Sequence, residues 1–395
     1  MQVIDAPYWP NRIIQGCGTI KRLPQYVQSY NGKKCFFFTD GNILETETTQ
    51  AAINSLCTEG YDVYVYDDIE ENPSDNSVKK AAETMRRYKP DFVIYYGGGS
   101  VIDLGKAANV IYTHGGEVYD YEDLNGGIEK IHNELLPSVA IATTAGSGSE
   151  VSSVSVITDT HRHLKMAILS PYIVPTISVL DPIVTATMPP RLTAYTGMDA
   201  LAHAIEAYVS NIQFEPGRGI AFRGMELISK SLRQAVYNGN DLKARLNMLV
   251  GSTCGAMAFN NNFLGAVHGC AHQLSTIAAL PHGLANAVML PVVMEWNLPS
   301  NIDAFAEIAP ALGVKSDNLS KRQAAEQSVA AVRTLAKDIG IPSHLSKVGV
   351  SQKMIDIMVD NAFIDHNMLT NPRKSHSEAQ RISKDEIRAL YMAAF

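Results

Sequence analysis

Through its first half the chain alternates short apolar runs with amphipathic stretches. Strand-like runs occupy residues 35–40, 61–68, 91–96 and 138–143, and helix-like segments fall near 44–58, 77–88 and 101–113. Continuous apolar strands separated by helical segments predict βαβ units, hence a parallel sheet covered on both faces. Residues 151–158 and 164–169 flank a polar turn at 159–163 and predict an antiparallel hairpin. Residues 177–181 read as a last strand returning to the sheet, stopped by Pro182.

Beyond about Pro189 the strand pattern fades. Helical periodicity marks 197–210, 219–237, 241–259, 265–278, 284–297, 302–312, 321–339, 352–361 and 384–393, with Gly and Pro at most joins. The pattern therefore predicts a Rossmann-like α/β domain over 1–186 and an all-helical domain over 187–395.

Composition narrows the function classes. Of 395 residues 46% are hydrophobic, enough for packed cores, and the formal charge of −7 gives no general field for nucleic acid or anionic lipid. No run of about 18 uncharged apolar residues is present, so no membrane span is expected. Residues 1–30 carry Asp5, Arg12, Lys21 and Arg22 without an apolar core, so no signal peptide is expected. The five cysteines are odd in number and form no Cys-x-x-Cys pair, which points to a reducing, cytoplasmic setting.

Two glycine-rich turns follow apolar strands. Gly97-Gly98-Gly99-Ser100 opens the 101–113 helix, where close backbone approach and the first helical N–H groups suit an anion. Asp103 sits in the first turn of that helix, able to accept from a ribose or nicotinamide group. A plain tight turn has the same composition, and the sequence matches neither the Gly-x-Gly-x-x-Gly nor the P-loop template. The second turn, Thr143-Thr144-Ala145-Gly146-Ser147-Gly148-Ser149-Glu150, follows another strand, and two such turns at strand C-termini meet on one sheet rim. Asp40 ends a third strand. It suits an adenosine ribose and repels a 2′-phosphate, favouring NAD over NADP, although a turn-forming Asx residue is nearly as good a reading.

The helical half carries the polar outliers. Asp199 and His203 are spaced i, i+4, as are His268 and His272, and His282 stands where a helix begins. Buried among Ala, Gly, Leu and Val, such groups need partners, since each left unpaired costs about 1–3 kcal/mol. One carboxylate with two or three imidazoles suits Fe(II), Zn, Mn or Co. Singly, each histidine reads better as a core residue bonded to a carbonyl; jointly, a metal is the economical answer. Cys270, at i+2 from His268, is expected to pack, and His161, His163 and His366 lie among polar residues.

These pieces together resemble the iron-dependent (group III) alcohol dehydrogenases, a family that includes lactaldehyde, 1,3-propanediol, butanol and methanol dehydrogenases. The matching motifs are Gly97-Gly98-Gly99-Ser100-x-x-Asp103-x-x-Lys106, Thr143-Thr144-Ala145-Gly146-x-Gly148-Ser149-Glu150 and Gly197-Met198-Asp199-Ala200-Leu201-x-His203-x-Ile205-Glu206. Val267-His268-x-x-Ala271-His272, Pro281-His282-Gly283-x-Ala285-Asn286-Ala287 and Asn371-Pro372-Arg373 follow in the family's order. The resemblance runs from about Arg12 to Phe395 and implies the two-domain, dehydroquinate synthase-like fold. It implies that Asp199, His203, His268 and His282 bind Fe(2+), or zinc or another divalent metal, with His272 beside them. It further implies that Asp40, Asn72, Gly98, Gly99, Ser100, Asp103, Thr143, Thr144, Ser147 and Lys165 line an NAD site. Ser147 replaces the usual Thr, residues 374–381 form a longer stretch than usual, and Asp365-His366-Asn367 departs from the usual approach to Asn371.

The implied chemistry is hydride transfer between a short-chain primary alcohol or diol and NAD, with the metal lowering the hydroxyl's pKa and His272 relaying the proton. A small, apolar lining from Phe259, Phe263, Leu264 and Val267 is expected near the substrate. A homodimer or larger homo-oligomer is expected. A dehydroquinate synthase-like lyase or a glycerol dehydrogenase-type polyol dehydrogenase on the same scaffold is the competing expectation. The lyase needs several cations for a phosphate and a carboxylate, and residues 246–300 contain neither Lys nor Arg. A non-catalytic NAD-binding regulator would have no use for the Asp199-to-His282 set.

Overall fold

The computed structural model describes residues 9–10, 12–132, 134–162, 164–374 and 381–395; His163 and most of the 374–381 stretch lie outside them. The chain divides at Thr187/Met188 into two compact units.

In the first unit the strands are β1 (Ile13–Gln15), β2 (Lys34–Phe38), β3 (Asp62–Tyr66), β4 (Phe92–Gly97), β5 (Ser138–Ala142), β6 (Val154–Asp159), β7 (Leu164–Leu169) and β8 (Ile177–Leu180). The helices are α1 (Leu23–Val27), α2 (Gly41–Leu44), α3 (Glu47–Thr58), α4 (Asp75–Tyr88) and α5 (Gly99–His114). Among the described residues one sheet runs β1-β8-β5-β4-β2-β3 with every pairing parallel, as the βαβ alternation predicts. Both faces are covered: Phe36, Phe38, Val93 and Tyr95 enter one core, and Cys35, Phe37, Phe92 and Ile94 the other. That two-sided burial explains why these strands read as unbroken apolar runs. β6 and β7 form the expected antiparallel hairpin, in register from Val154↔Leu169 to Asp159↔Leu164.

The hairpin is fastened to α5 by two buried groups. Lys106 Nζ donates to the carbonyls of Ser152 (2.7 Å) and Val154 (3.2 Å) and to Ser152 Oγ (3.1 Å). Burial pushes this amine down to about 8, against the pull of Asp103 and Glu150. Asp103 accepts from Ser149 Oγ through one oxygen and from the Val156 N–H (3.1 Å) through the other. Gly105 lets α5 settle on β4, because a Cβ there would lie 2.4 Å from the Tyr95 ring.

The second unit is helical: α6 (Pro190–Val209), α7 (Glu215–Tyr237), α8 (Leu242–Asn262), α9 (Ala266–Ile277), α10 (His282–Asn297), α11 (Ile302–Ile308), α12 (Lys321–Asp338), α13 (Gln352–Ile364) and α14 (Lys384–Ala394). α6 starts seven residues earlier than its periodicity indicates, because Pro190 fits the first helical position, where no N–H is needed. α11 stops at Ile308, short of the expected 312, since Pro310 has no N–H to carry the helical hydrogen bonds on. α8 presses closely on α6: a Cβ on Gly255 would lie 3.2 Å from the Ala200 carbonyl and 3.3 Å from His203 Cβ. No helix among the described residues is long and apolar enough to cross a membrane.

Candidate active site

Helical spacing gathers the polar outliers of the second unit. Asp199, His203 and Glu206 recur at i, i+4 and i+7 on α6, so they share a face; His268 and His272 do so on α9, and His282 and Asn286 on α10. Pro281 precedes α10, and Gly283 lets its first turn approach α6, since a Cβ there would lie 2.5 Å from the Tyr195 carbonyl oxygen.

These faces converge on Asp199. Its Oδ1 lies 3.7 Å from His268 Nε2, 3.6 Å from His282 Nε2 and 4.0 Å from His203 Nε2. Among the described residues Asp199, His268 and His282 form a group whose ligand atoms all lie within 4.8 Å of one another. His203 stacks on His268 with ring centroids 4.6 Å apart. The separations are too long for direct hydrogen bonds. They sit slightly beyond the spacing of about 3.4 Å that tetrahedral ligands about 2.1 Å from a metal require. Three imidazole nitrogens around one carboxylate oxygen, all buried or half-buried, are a donor set fitted to a divalent iron or zinc.

The electrostatics agree. Burial opposes the charge on Asp199, yet the His203, His282 and His268 imidazoles outweigh it and hold the carboxyl well below the usual carboxylate range. Burial likewise opposes charge on His268, but contacts with Asp199 and Glu206 raise it to about 9. Burial and the neighbouring imidazoles push His282 down to about 3 despite Asp199. Near neutrality one proton thus rests on His268 where a cation is called for. Asn286 Nδ2 also reaches into the cluster, 2.6 Å from Asp199 Oδ1 and 3.1 Å from the Nε2 atoms of His268 and His282, while its buried Oδ1 has no partner.

The sign of the pH dependence follows. His268 is protonated below about 9 and must shed that proton to ligate, whereas His282 is already neutral. Zinc uptake by metal-free protein at pH 7.5 is expected to release about one proton, and affinity to fall as pH drops. Calorimetry in buffers of different ionisation enthalpy checks this; uptake without proton release contradicts it.

Three more groups complete the cluster. His272 Nδ1 lies 2.8 Å from Asp365 Oδ2, and its ring stacks 5.6 Å from that of His282. Asp365 is held below the usual carboxylate range: burial opposes this, and His272 and Asn367 outweigh it. Glu206 contacts His268 Nδ1 at 2.5 Å. Sequence reasoning gave Glu206, Asn286 and Asp365 no role. The helical spacing of Glu206 and Asn286 could have flagged the first two, whereas Asp365 arrives from a loop. Phe259 lies beside His203, with ring centroids 4.9 Å apart. Val267 is buried, Phe263 is 41% exposed, and Leu264 accepts from Thr370 through its carbonyl. Cys270 is buried, and its carbonyl accepts from Tyr391.

The glycine-rich turns lie in the first unit at the C-terminal ends of the adjacent strands β4 and β5; Asp40 follows β2 on the other side of β4. The two turns pack together. Thr143 N donates to the Gly97 carbonyl (3.0 Å); a Cβ on Gly98 would lie 3.3 Å from Thr144, and one on Gly99 2.9 Å from Ser147 Oγ. Ser100 donates to the Glu71 carbonyl, and Lys165 Nζ bonds Asn72 Oδ1 (2.9 Å) and Thr158 Oγ1 (3.0 Å), so Asn72 and Lys165 meet across 93 residues of sequence. Asp40 caps α2, its Oδ1 accepting from Asn42 N and Ile43 N; both oxygens of Asp103 are engaged within the protein.

Two family models match the chain: iron-containing alcohol dehydrogenase over residues 10–182, and the C-terminal part of the Fe-containing alcohol dehydrogenase family over 193–395. The 1,3-propanediol dehydrogenase of Citrobacter freundii is 39% identical over 388 residues, covering 98% of this chain and 97% of its own. The NAD-dependent methanol dehydrogenase of Bacillus methanolicus is 35% identical, covering 92% and 94%. Solved structures of a 1,3-propanediol oxidoreductase (38% identical, TM-score 0.94) and of an alcohol dehydrogenase from Oenococcus oeni (35%, 0.93) match over the whole of this chain and of their own. With both of its parts matched in order, the chain belongs to the iron-containing alcohol dehydrogenase family, whose members use iron and NAD(H) to interconvert alcohols and aldehydes.

Proposed function

We propose that this enzyme acts on short-chain primary alcohols or diols and their aldehydes, with Asp199, His203, His268 and His282 holding a divalent iron. The observation that carries the assignment is the convergence of three imidazole nitrogens on Asp199 Oδ1 at 3.6–4.0 Å, beyond hydrogen-bond reach. A divalent ion held there supplies Lewis acidity toward a hydroxyl or carbonyl oxygen, and NAD(H) supplies the hydride exchange.

The remaining work falls to the chain. The α5 N-terminus and the backbone of Gly98 and Gly99 bind the pyrophosphate. Asp40, Asn72, Ser100, Asp103, Thr143, Thr144, Ser147 and Lys165 line the same dinucleotide site, and the Asp40 charge disfavours a 2′-phosphate. Asp365 holds His272 at Nδ1, leaving Nε2 to pass the alcohol proton towards solvent. Phe259 beside His203 gives the substrate an apolar neighbour.

The boundary near residue 186 would then separate a cofactor-binding domain from a metal-binding, catalytic one. The free cysteines Cys17, Cys35, Cys57, Cys254 and Cys270 fit a cytoplasmic enzyme. A homodimer or larger homo-oligomer is the assembly we assign, to be checked by sedimentation.

Mixing protein, Fe(II) or zinc and NAD with a series of primary alcohols and diols should raise NADH absorbance; no alcohol giving a signal overturns the substrate reading. His272→Gln should keep its metal, lose roughly 10²-fold in turnover and lose an ionisation from its pH–rate profile. A profile identical to the parent's removes His272 from the proton path.

A further inference from the structure

We infer that Glu206 is a positioning residue for the metal centre, fixing the tautomer of His268 and the helix that carries it at the same time; this rests on the metal reading above. Glu206 is 4% exposed and both of its oxygens are spent on α9. Oε1 accepts from Val267 N at 2.7 Å, and Oε2 lies 2.5 Å from His268 Nδ1. A carboxylate held on two donors can only accept, so Nδ1 keeps a proton, and a His268 ring that ligates a metal must do so through the lone pair at Nε2. Nε2 is the nitrogen aimed at Asp199. A carboxylate behind a ligating imidazole fixes ring orientation and makes the ligand more basic.

The same contact finishes a helix end. The first N–H groups of α9 have no partner within the helix. Asn371 Oδ1 takes that of Ala266 (3.2 Å), and Glu206 takes that of Val267 with a negative charge where the helix dipole favours one. Gly265 leaves room for both, since a Cβ there would lie 2.9 Å from Glu206 Oε1 and 3.0 Å from Asn371 Oδ1. Asn371 is itself locked by a reciprocal amide pair with Asn297 (2.8 and 3.0 Å), and Arg373 by the Trp296 carbonyl. The Asn371-Pro372-Arg373 motif thus braces the α9 start from one side while Glu206 braces it from α6. Asp199, His203 and Glu206 lie on one helix face, so a single element sets two ligands and the orientation of a third.

Glu206→Gln separates this role from bulk packing. The glutamine oxygen must turn to the Val267 N–H to keep the cap. Its NH2 then faces His268 Nδ1 and forces the ring proton onto Nε2. Chelator competition with zinc is expected to show affinity weakened by about 10- to 100-fold while the circular dichroism spectrum stays parental. Zinc affinity equal to the parent's overturns the inference and leaves the metal reading standing; a parent that takes up no zinc overturns both. Should the variant not fold, the parent decides. Zinc-loaded protein with nitrogen-15 histidine must show a far-downfield, slowly exchanging Nδ1–H from His268, and a rapidly exchanging or absent signal rejects the role.

Discussion

Replacing His282 by alanine is expected to strip the metal and lower turnover by roughly 10³-fold or more. The residue opens α10, and its Nε2 lies 3.6 Å from Asp199 Oδ1. Removing it leaves Asp199 with two imidazoles on one side and Asn286 as its nearest donor. Lewis-acid stabilisation of several kcal/mol disappears with the ion, and each 1.4 kcal/mol is about tenfold in rate. Metal content by elemental analysis and NADH formation should fall together. A variant that retains parental metal rejects the ligand assignment, even if its turnover is low.

Gly99→Val is expected to do the opposite: keep the metal and lose the dinucleotide. A Cβ on Gly99 already lies 2.9 Å from Ser147 Oγ and 3.0 Å from its Cβ, and valine adds two methyl groups where the α5 N-terminus meets the second turn. Backbone approach to a pyrophosphate needs that surface clear. NADH affinity, read by fluorescence titration, should weaken roughly 100-fold, equivalent to about 2.7 kcal/mol, with zinc content at the parental level. Undiminished NADH binding would remove this turn from the cofactor site. Together the two variants separate a metal function in one unit from a nucleotide function in the other.

The fold was largely legible because its patterns are local. Unbroken apolar runs such as Phe36-Phe37-Phe38 announce a strand buried on both faces, and alternate residues do enter opposite cores. β1 escaped because three residues of mixed exposure, paired only with β8 at the sheet edge, carry no periodic pattern. The clustering of Asp199 with the histidines was legible for a related reason: i, i+4 spacing places two polar groups on one apolar helix, where a partner is needed. The outer contacts were not. Asp365 reaches His272 across 93 residues of sequence from the loop after α13, and no spacing rule links them. Asp103 illustrates a subtler gap. Its place on α5 is plain from the motif, but the helix begins at Gly99, two residues before the expected start, so Asp103 lies past the first turn, and its engagement by Ser149 and Val156 depends on the hairpin's docking.

The most direct test of the account is anomalous diffraction at the iron edge from crystals of iron-loaded protein. We expect one strong peak about 2.0–2.2 Å from Asp199 and from the Nε2 atoms of His203, His268 and His282. A peak bound by other residues, or those four side chains turned away from a common centre, would contradict it.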